Sequence, residues 1–308
     1  MPRFSIIIPL YNKEKYIQNT LKSVLNQTFQ DFEIIIVNDG STDQSVALVN
    51  EINDARIQLI HQENQGVSVA RNIGMENAHA NYICFLDADD FWYPHFLQTF
   101  NDLIEKYSDY EVFSAAFEVE TKWNTFASLY SIDASKTDLV VNFFDASKKE
   151  CVIWTSCAVF KKSVFEHVGN FDTTIKIAQD TDLWIRIGMH YPIVFTWNIL
   201  AIYKHDAESL SKKTEDLTYR LNFKKFEEAE KSNQKLKAYL DLNRYFAALH
   251  SKLNGNYQNY KSLVQQIQLR NLPLRKRMLL KTPAFILQKL VKLQQLLVKW
   301  GISKSILK

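Results

Sequence analysis

The sequence predicts an α/β fold, in which a mainly parallel sheet is flanked by helices and followed by a helical C-terminal extension. Strand and helix patterns alternate over the first hundred residues, mix as far as Tyr203, and become entirely helical beyond Ser211. Strands and helices that alternate at this spacing form βαβ units, whose strands run parallel and whose helices cover the sheet.

The individual elements follow from the spacing of apolar residues. Four runs rich in apolar and β-branched residues predict strands at Phe4–Ile8, Phe32–Val37, Arg56–Ile60 and Tyr82–Leu86. Apolar residues at helical spacing predict helices at Lys13–Asn26, Asp43–Ile52 and Val67–Ala78. Later strands are expected at Val112–Val119, Cys151–Phe160 and Ile193–Tyr203, and later helices near Lys162–His167 and Asp182–His190.

Charge divides the chain into two parts. Residues 212–308 carry 21 Lys and Arg against 6 Asp and Glu, whereas residues 1–211 carry 16 against 28, and no acidic residue follows Asp241. We therefore predict an acidic α/β domain at residues 1–211 and a basic helical extension at residues 212–308. The acidic domain is suited to hold cations, and the basic extension is suited to meet an anionic partner.

Several sequence features are typical of a cytoplasmic protein. The cysteines Cys84, Cys151 and Cys157 lack metal-site spacing and are expected to be buried or idle thiols in a reducing compartment. The chain enters a strand pattern at Phe4 without a basic and then apolar leader, and no stretch reaches the roughly 18 apolar residues of a spanning helix. We expect a cytoplasmic protein that is able to bind a surface.

Polar clusters follow the predicted strands, where ligands bind in open α/β sheets. The sharpest is Asp87-Ala88-Asp89-Asp90, which places three carboxylates in four residues directly after a strand. Carboxylates this close repel one another, and a hard cation such as Mg²⁺ or Mn²⁺ removes that cost. The alternative is a solvated loop that caps a helix beginning near Pro94. The preceding strand and the acidic domain favour a metal site.

Five motifs occur in a fixed order over about residues 3–211. They are Phe4 to Asn12 (FSIIIPLYN), Val37 to Asp43 (VNDGSTD), Asn64-Gln65-Gly66 with Ala70 to Gly74 (ARNIG), Leu86 to Asp90 (LDADD), and Gln179 to Arg186 (QDTDLWIR). Their order and spacing closely resemble the signatures of family-2 inverting glycosyltransferases of the bacterial cell-surface polysaccharide type. The resemblance implies a GT-A fold with a Rossmann-like sheet, a nucleotide-diphosphate-sugar donor, typically a UDP-sugar, and inversion at the anomeric carbon.

The same resemblance implies where the nucleotide binds. Pro9 and Tyr11 would line the base pocket, Asp39 would accept a hydrogen bond from the base, and Arg71 would lie close to the same nucleotide. Each has a plainer alternative. Tyr11 could pack at a strand end, Asp39 could form a turn, and Arg71 could be an exposed charge on a helix.

The family's D-x-D motif corresponds to Asp87, Ala88 and Asp89. By resemblance, its carboxylates would contact the ribose and the metal ion, with Asp90 adjoining them. His205, in a segment that resembles the one after the last core strand of the family, could approach the metal or the diphosphate when a loop closes. The alternative is a structural histidine at a strand end.

Transfer of a sugar with inversion requires a general base that takes the proton of the attacking hydroxyl. Asp180 is the candidate, because it corresponds to the family's base motif and lies just before an amphipathic helix. The family usually has Glu-Asp here, and Gln179 takes the place of the Glu. Asp182 is the second candidate, and either aspartate could instead cap the helix.

The basic extension ends in an amphipathic pattern. Pro283–Trp300 contains apolar residues at helical spacing, among which Lys289, Lys292 and Lys299 are interspersed, and Arg275-Lys276-Arg277 precedes it. Such a helix can lie in an anionic lipid surface, which would place the protein at the inner face of the cell membrane and favour a glycan or lipid-linked acceptor. The alternative is a helix packed on the catalytic domain. A nucleic-acid partner is not expected, since no reading motif occurs.

Two other functions remain open from the sequence. A sugar nucleotidyltransferase also uses an α/β sheet with metal-bound carboxylates, but it usually has a Gly-rich basic phosphate loop, and this chain has only 7 Gly. A catalytically silent glycan-assembly or scaffold protein is compatible with Gln179. Activity with UDP-sugars and Mn²⁺ would separate these functions from sugar transfer.

Overall fold

The computed structural model describes residues 1–121, 124–204 and 223–299, with side chains described as far as residue 293. Contacts between Cα atoms divide the chain into two units. The sheet unit comprises Met1–Ala146 and Glu150–Leu221, and the helical unit comprises Ser147–Lys149 and Asn222–Lys308. The predicted domain boundary at residue 212 lies outside the described residues.

A ten-stranded mixed sheet forms the centre of the sheet unit. In chain order the strands are β1 (Phe4–Leu10), β2 (Phe32–Asp39), β3 (Ile57–Gln62), β4 (Tyr82–Phe85), β5 (Phe91–Trp92), β6 (Val112–Glu120), β7 (Thr125–Ala127), β8 (Asp138–Val141), β9 (Ala158–Lys161) and β10 (Ile193–Lys204). Their order across the sheet is β3-β2-β1-β4-β9-β6-β10-β5, with β7 on β6 and β8 on β10. β3, β2, β1 and β4 are mutually parallel, as are β6 and β10, while β9 is antiparallel to both of its neighbours.

Seven helices belong to the sheet unit in the described residues. They are α1 (Ile17–Leu25), α2 (Ser45–Asn50), α3 (Val67–Glu76), α4 (Phe96–Lys106), α5 (Phe143–Ala146), α6 (Ser163–Val168) and α7 (Gln179–His190). The apolar runs of β1 and β2 are almost completely buried, as expected for parallel strands covered on both faces. The predicted α/β fold with a mainly parallel sheet flanked by helices is therefore confirmed.

Helix α3 packs against β1 at a very short distance. A Cβ atom built on Gly74 of α3 would overlap the Cγ2 atom of Ile7 in β1. A residue without a side chain is therefore required at position 74 for this packing.

Three predicted elements differ from the structure by three or more residues at one end. The helix expected near Asp182–His190 begins earlier, at Gln179, so Asp180 lies inside its first turn rather than just before it. The first helix begins at Ile17 rather than Lys13, because a turn comes first, in which the backbone N–H groups of Tyr16 and Ile17 both donate to the Lys13 carbonyl at 2.9 Å. The strand expected at Cys151–Phe160 is shorter and later, at Ala158–Lys161, because a 3₁₀ turn occupies Thr155–Cys157.

The helical unit is built from short helices packed around one long helix. Its helices are α8 (Glu227–Ser232), α9 (Gln234–Leu253), α10 (Tyr257–Gln266), α11 (Leu274–Lys281) and α12 (Ala284–Lys299). Their apolar core contains Tyr245, Ala248, Leu249, Ile267, Leu272, Leu280 and Leu287. The predicted helical character of the C-terminal extension is thus confirmed.

A charged network is buried beside this core. The Asp241 carboxylate is fully buried and accepts hydrogen bonds from Lys237 Nζ at 2.6 Å, Asn271 Nδ2 at 2.7 Å and the Gln268 backbone N–H at 3.1 Å. Arg244, also fully buried, pairs with both Asp241 and Glu230. Because each of these charges is paired with an opposite charge, the free-energy cost of burying it is offset.

Cys84 and Cys157 are buried, and burial raises the pKa of both thiols, as expected of cysteines without a reactive role. Among residues 1–121, 124–204 and 223–299, no helix combines the length and the apolar character that a bilayer crossing requires.

Candidate active site

The loops that follow β1 and β2 are joined directly. Because these strands are parallel neighbours, with Leu10 paired to Asn38, both loops leave the sheet at the same edge. The Asn12 backbone N–H donates to Ser41 Oγ at 3.1 Å, and the Lys13 backbone N–H donates to Ser45 Oγ at 2.7 Å. These bonds hold the two loops as one platform at the carboxyl ends of the strands.

Asp39 ends β2 and organises a third loop. Its carboxylate is almost fully buried and accepts hydrogen bonds from Gln62 Nε2 at 2.6 Å, the Gln65 N–H at 2.8 Å and the Gly66 N–H at 2.9 Å. Asp39 thus fixes the chain between β3 and α3. Gln62 contributes a side chain to this set, and the other two donors are backbone N–H groups.

Pro9 and Tyr11 lie on either side of the end of β1. Pro9 is part of the strand and is paired with Val37, whereas Tyr11 stands in the loop with 39% of its surface exposed. An exposed aromatic ring at this edge can stack against a planar base. The alternative of a tyrosine packed at the strand end is therefore not supported.

Arg71 and Asp87 form an ion pair between α3 and the loop after β4. Arg71 Nη2 donates to Asp87 Oδ1 at 2.6 Å, and the guanidinium lies 5.2 Å from the centre of the Phe171 ring. Only 3% of Arg71 is exposed, so the alternative of an exposed helix charge is wrong. Within the described part of the chain, its Nε and Nη1 atoms are buried without a hydrogen-bond partner, an arrangement that suits an anionic ligand.

Asp89 is paired with a residue that the sequence analysis missed. Lys13 Nζ forms an ion pair with Asp89 Oδ2. Burial raises the pKa of Asp89, Lys13 acts in the opposite direction, and the charge of Asp87 adds to the rise. Lys13 carries no signal in the sequence beyond its place after Tyr11-Asn12, because only the fold brings it to a carboxylate 76 residues away.

Asp90 points into the protein beneath the same loop. It is 2% exposed, its Oδ1 atom accepts a hydrogen bond from the Lys204 N–H at 3.3 Å, and its Oδ2 atom has no hydrogen-bond partner in the described part of the chain. Burial and the charges of Asp87 and Asp89 together raise the pKa of Asp90 well above its usual range.

Two hydroxyl groups hold the backbone of the acidic loop, which comprises Asp87 to Asp90 and follows β4. Thr20 Oγ1 of α1 donates to the carbonyls of Ala88 at 3.0 Å and Asp90 at 2.9 Å, and the Asp87 N–H donates to Ser156 Oγ at 3.1 Å. The buried Ala88 is thus a backbone anchor. The sequence analysis identified neither hydroxyl, since each lies far from the loop in the chain. The loop caps no helix, because His95 is the N-cap of α4.

Asp180 lies in the first turn of α7. This helix is preceded by Ala178 in a left-handed conformation, with φ at 62°, and Asp180 Oδ1 accepts the Thr181 N–H at 2.6 Å. The chain before α7 is tied to α3, because Asn72 exchanges two hydrogen bonds with the backbone of Phe171, at 3.0 and 3.1 Å. Phe171 also contacts the Arg71 guanidinium, so this segment reaches the ion pair of Arg71 and Asp87.

Asp182, the second candidate for the base, has a different environment. Its side chain is fully buried and accepts a hydrogen bond from Arg186 Nε at 2.9 Å. Arg186 in turn donates to the carbonyls of Val168, Gly169 and Asn170. A carboxylate enclosed in this way supports the fold and does not offer an oxygen to an acceptor hydroxyl.

The acidic loop has the donor chemistry of a site for a hard cation. Within the residues that the structure describes, no three His, Cys, Asp or Glu side chains are arranged to hold a metal ion. Asp87 and Asp89 nevertheless offer carboxylate oxygens, and Mg²⁺ typically binds through one or two carboxylates together with substrate phosphates. The residues therefore fit Mg²⁺ or Mn²⁺ bound jointly with a diphosphate. His205 lies outside the described residues.

Comparisons with known proteins agree with the motifs. The family described as Glycosyl transferase family 2 matches residues 5–169. An uncharacterized glycosyltransferase of Haemophilus influenzae is 49% identical over 94 residues, which are 30% of this chain and 38% of that relative. One of Rickettsia bellii is 30% identical over 215 residues, 69% of this chain and 31% of that relative. The chain thus spans less than two-fifths of the length of either relative.

Solved structures show the same fold. TarS 1-349 of S. aureus in complex with UDP-GlcNAc aligns with a TM-score of 0.70 at 18% sequence identity, covering 87% of this chain and 82% of that chain. The complex of the same protein with UDP aligns with a TM-score of 0.66 at 20% identity, with the same coverage. The predicted GT-A fold is therefore confirmed.

Proposed function

Because the chain belongs to glycosyltransferase family 2, we propose that it transfers a sugar, with inversion, from a UDP-sugar to a hydroxyl group of a glycan or lipid-linked acceptor. The main support is the pairing of Asp87 and Asp89 with Arg71 and Lys13 at the ends of the parallel strands. Carboxylates and cations that meet at one edge can bind a diphosphate together with a divalent ion. The UDP and UDP-GlcNAc bound by the similar TarS structures favour a uridine donor.

Donor binding would use the platform at the strand ends. Tyr11 and Pro9 would flank the base, and Asp39 would accept a hydrogen bond from it, in exchange for the one from Gln62. Arg71 has two buried nitrogen atoms that find no partner among the residues the structure describes, which would make it a donor toward the nucleotide. Asp87 and Asp89 would hold Mg²⁺ or Mn²⁺, which stabilises charge on the departing diphosphate.

Asp180 would act as the general base. An inverting transfer forms the new glycosidic bond on the face opposite the leaving diphosphate, while the acceptor hydroxyl loses its proton to a carboxylate. Asp180 lies in the first turn of α7, in the part of the chain tied to α3 through Phe171. Its partly exposed carboxylate is available for this proton, unlike that of Asp182.

The test is release of UDP from a panel of UDP-sugars with Mn²⁺, followed for Asp180→Asn. We expect turnover to fall by about 10²- to 10⁴-fold, the usual contribution of a general base, while the Kd for UDP stays the same. Asp102→Asn, which alters an exposed aspartate of α4, is the control. Unchanged UDP release in Asp180→Asn would reject this base, and an absence of turnover with every donor would favour a silent scaffold.

We propose in addition that α11 and α12 bind an anionic membrane surface. Leu280 and Leu287 face the core of the helical unit, whereas Leu274, Met278, Phe285 and Leu293 are 51–70% exposed. Among the side chains of these helices that the structure describes, the exposed cations are Arg275, Lys281, Lys289 and Lys292. Exposed apolar residues beside cations, with no acidic residue after Asp241, suit an anionic lipid surface. Trp300 lies outside the described residues.

Sedimentation with vesicles tests this surface. We expect binding to vesicles of phosphatidylglycerol and phosphatidylcholine and weak binding to phosphatidylcholine alone. Lys289→Gln and Lys292→Gln should each weaken binding about fivefold, since each cation near the surface contributes about 1 kcal/mol. Phe285→Ser should weaken it too, whereas Leu129→Ser, at a residue of the sheet unit that is 48% exposed, should not. Equal binding to both kinds of vesicle would contradict an electrostatic contribution.

A further inference from the structure

Two cationic side chains, Arg71 and Lys13, pair with carboxylates of the acidic loop, and they differ in how firmly they are held. Arg71 is 3% exposed, it projects from the rigid helix α3, and its guanidinium lies over the Phe171 ring. The Lys13 side chain is 27% exposed and extends from a loop through four rotatable bonds. Arg71 therefore stays at Asp87, while Lys13 can leave Asp89 at low cost.

The backbone of Lys13 is fixed although its side chain is not. Its N–H donates to Ser45 Oγ at 2.7 Å, and its carbonyl accepts the N–H groups of Tyr16 and Ile17, both at 2.9 Å. The Tyr16 ring lies 5.7 Å from Lys13 Nζ and offers a second favourable surface for the ammonium. Lys13 would thus move by rotation about its side-chain bonds, while the backbone of the loop stays in place.

Lys13 binds the carboxylate that the proposed metal site requires. Its ammonium contacts Asp89 Oδ2, so a divalent ion at that oxygen and the ammonium would repel each other. We infer that Lys13 occupies the cation position on Asp89 when the donor is absent, and that it is displaced when the metal ion binds. This inference rests on the proposed function.

The exchange has a consequence for the order of binding. A diphosphate attracts the Lys13 ammonium away from Asp89, and removal of the ammonium opens Asp89 to the metal ion. Nucleotide and metal ion should therefore strengthen each other's binding, and by linkage the effect is the same in both directions. Lys13 is a positioning residue in this scheme, since it regulates the occupancy of Asp89.

The experiment measures the Kd of Mn²⁺ by electron paramagnetic resonance, with and without UDP, for the full chain and for Lys13→Met. In the unaltered protein we expect UDP to tighten Mn²⁺ binding by roughly 5- to 150-fold, the usual range of coupling between sites. In Lys13→Met, Mn²⁺ should bind more tightly without UDP, and the strengthening by UDP should shrink. Lys15→Met, at an exposed lysine of the same loop, should behave like the unaltered protein.

Two results would contradict the exchange of Lys13 for the metal ion. One leaves the assignment of the metal site intact, and the other contradicts that assignment as well. If Lys13→Met and the unaltered protein bind Mn²⁺ equally, with equal coupling to UDP, the exchange is wrong and the metal site stands. If neither protein binds Mn²⁺ even with UDP, both the exchange and the metal assignment at Asp87 and Asp89 are wrong. Thermal unfolding of Lys13→Met, compared with Lys15→Met, verifies that the variant is folded.

Discussion

Asp241 in the helical unit and Asp89 in the sheet unit are both largely buried carboxylates beside a lysine, yet their surroundings differ. Asp241 is fully buried and accepts hydrogen bonds from Lys237, Gln268 and Asn271, with Arg244 alongside. The Asp89 side chain is 16% exposed and is paired with one lysine, from a loop 76 residues away.

The difference separates a structural ion network from an adjustable one. Partners on the same helix and its neighbours fix every position around Asp241, so the charge is stabilised only in the folded arrangement. At Asp89 the partner can leave, and the nearby Asp87 and Asp90 raise the free energy of the ionised loop. We expect substitution of Asp241 to affect stability and substitution of Asp89 to affect ligand binding.

The largest effect is expected for Asp241→Ala. Removal of this carboxylate takes from the buried Lys237 and Arg244 one of the two carboxylates that they share, the other being Glu230, which should lower the free energy of unfolding of the helical unit by about 3–5 kcal/mol. Urea unfolding followed by circular dichroism measures the change. Glu228→Ala breaks an exposed pair with Lys231 and should cost far less, because exposed ion pairs contribute little to stability. Equal losses in the two variants would show that the buried network is not structural.

Asp89→Asn should affect function instead. Turnover should fall at least about a hundredfold, because a metal ion contributes several kcal/mol to stabilisation of a charged leaving group. The free energy of unfolding should be unchanged or raised, since a partly desolvated carboxylate is replaced by a neutral amide. Kinetics and urea unfolding measure the two effects. Full UDP affinity in the presence of a chelator would count against the metal site.

A third, smaller effect concerns a partly buried ion pair in the sheet unit, Asp54 with Arg56. Hydrogen bonds from the side chain and backbone of Arg56 lower the pKa of Asp54 from 3.8 to about 2. The ionised form is therefore favoured in the folded state, so its contribution is present above about pH 4 and is lost as the pH falls through 2. Compared with Asp54→Asn, the unaltered protein should be more stable near pH 6 by less than about 1 kcal/mol. A difference that persists at pH 2 would contradict this origin.

Much of the fold could be predicted from local patterns. The runs at Phe4–Ile8 and Phe32–Val37 are buried on both sides, so their composition alone indicated parallel strands. The short strand Phe91–Trp92 was missed, because its pairing with β10 depends on residues over a hundred positions away. The strand predicted at Cys151–Phe160 was placed too early, since the apolar residues Val152, Ile153 and Trp154 mimic a strand but lead into a 3₁₀ turn at Thr155–Cys157.

The site was predictable where a motif carries its own chemistry. The carboxylates Asp87 and Asp89 follow directly from the sequence, and their meeting with Arg71 follows from the topology. Lys13, Thr20 and Ser156 could not be found in this way, because a lysine, a threonine and a serine acquire a role only through a contact across the fold. The environment that distinguishes Asp180 from Asp182 also required the structure.

The glycine of α3 has a consequence for the chemistry that no charged residue reveals. Gly74 lets its helix rest directly on Ile7, and Arg71 lies one turn earlier on the same helix. A methyl group at position 74 would lift the helix from the sheet and withdraw the guanidinium from Asp87. The position of the Arg71 guanidinium is thus decided by the size of a residue one turn away on the same helix, so an alanine there would preserve every ionisable group and still misalign them.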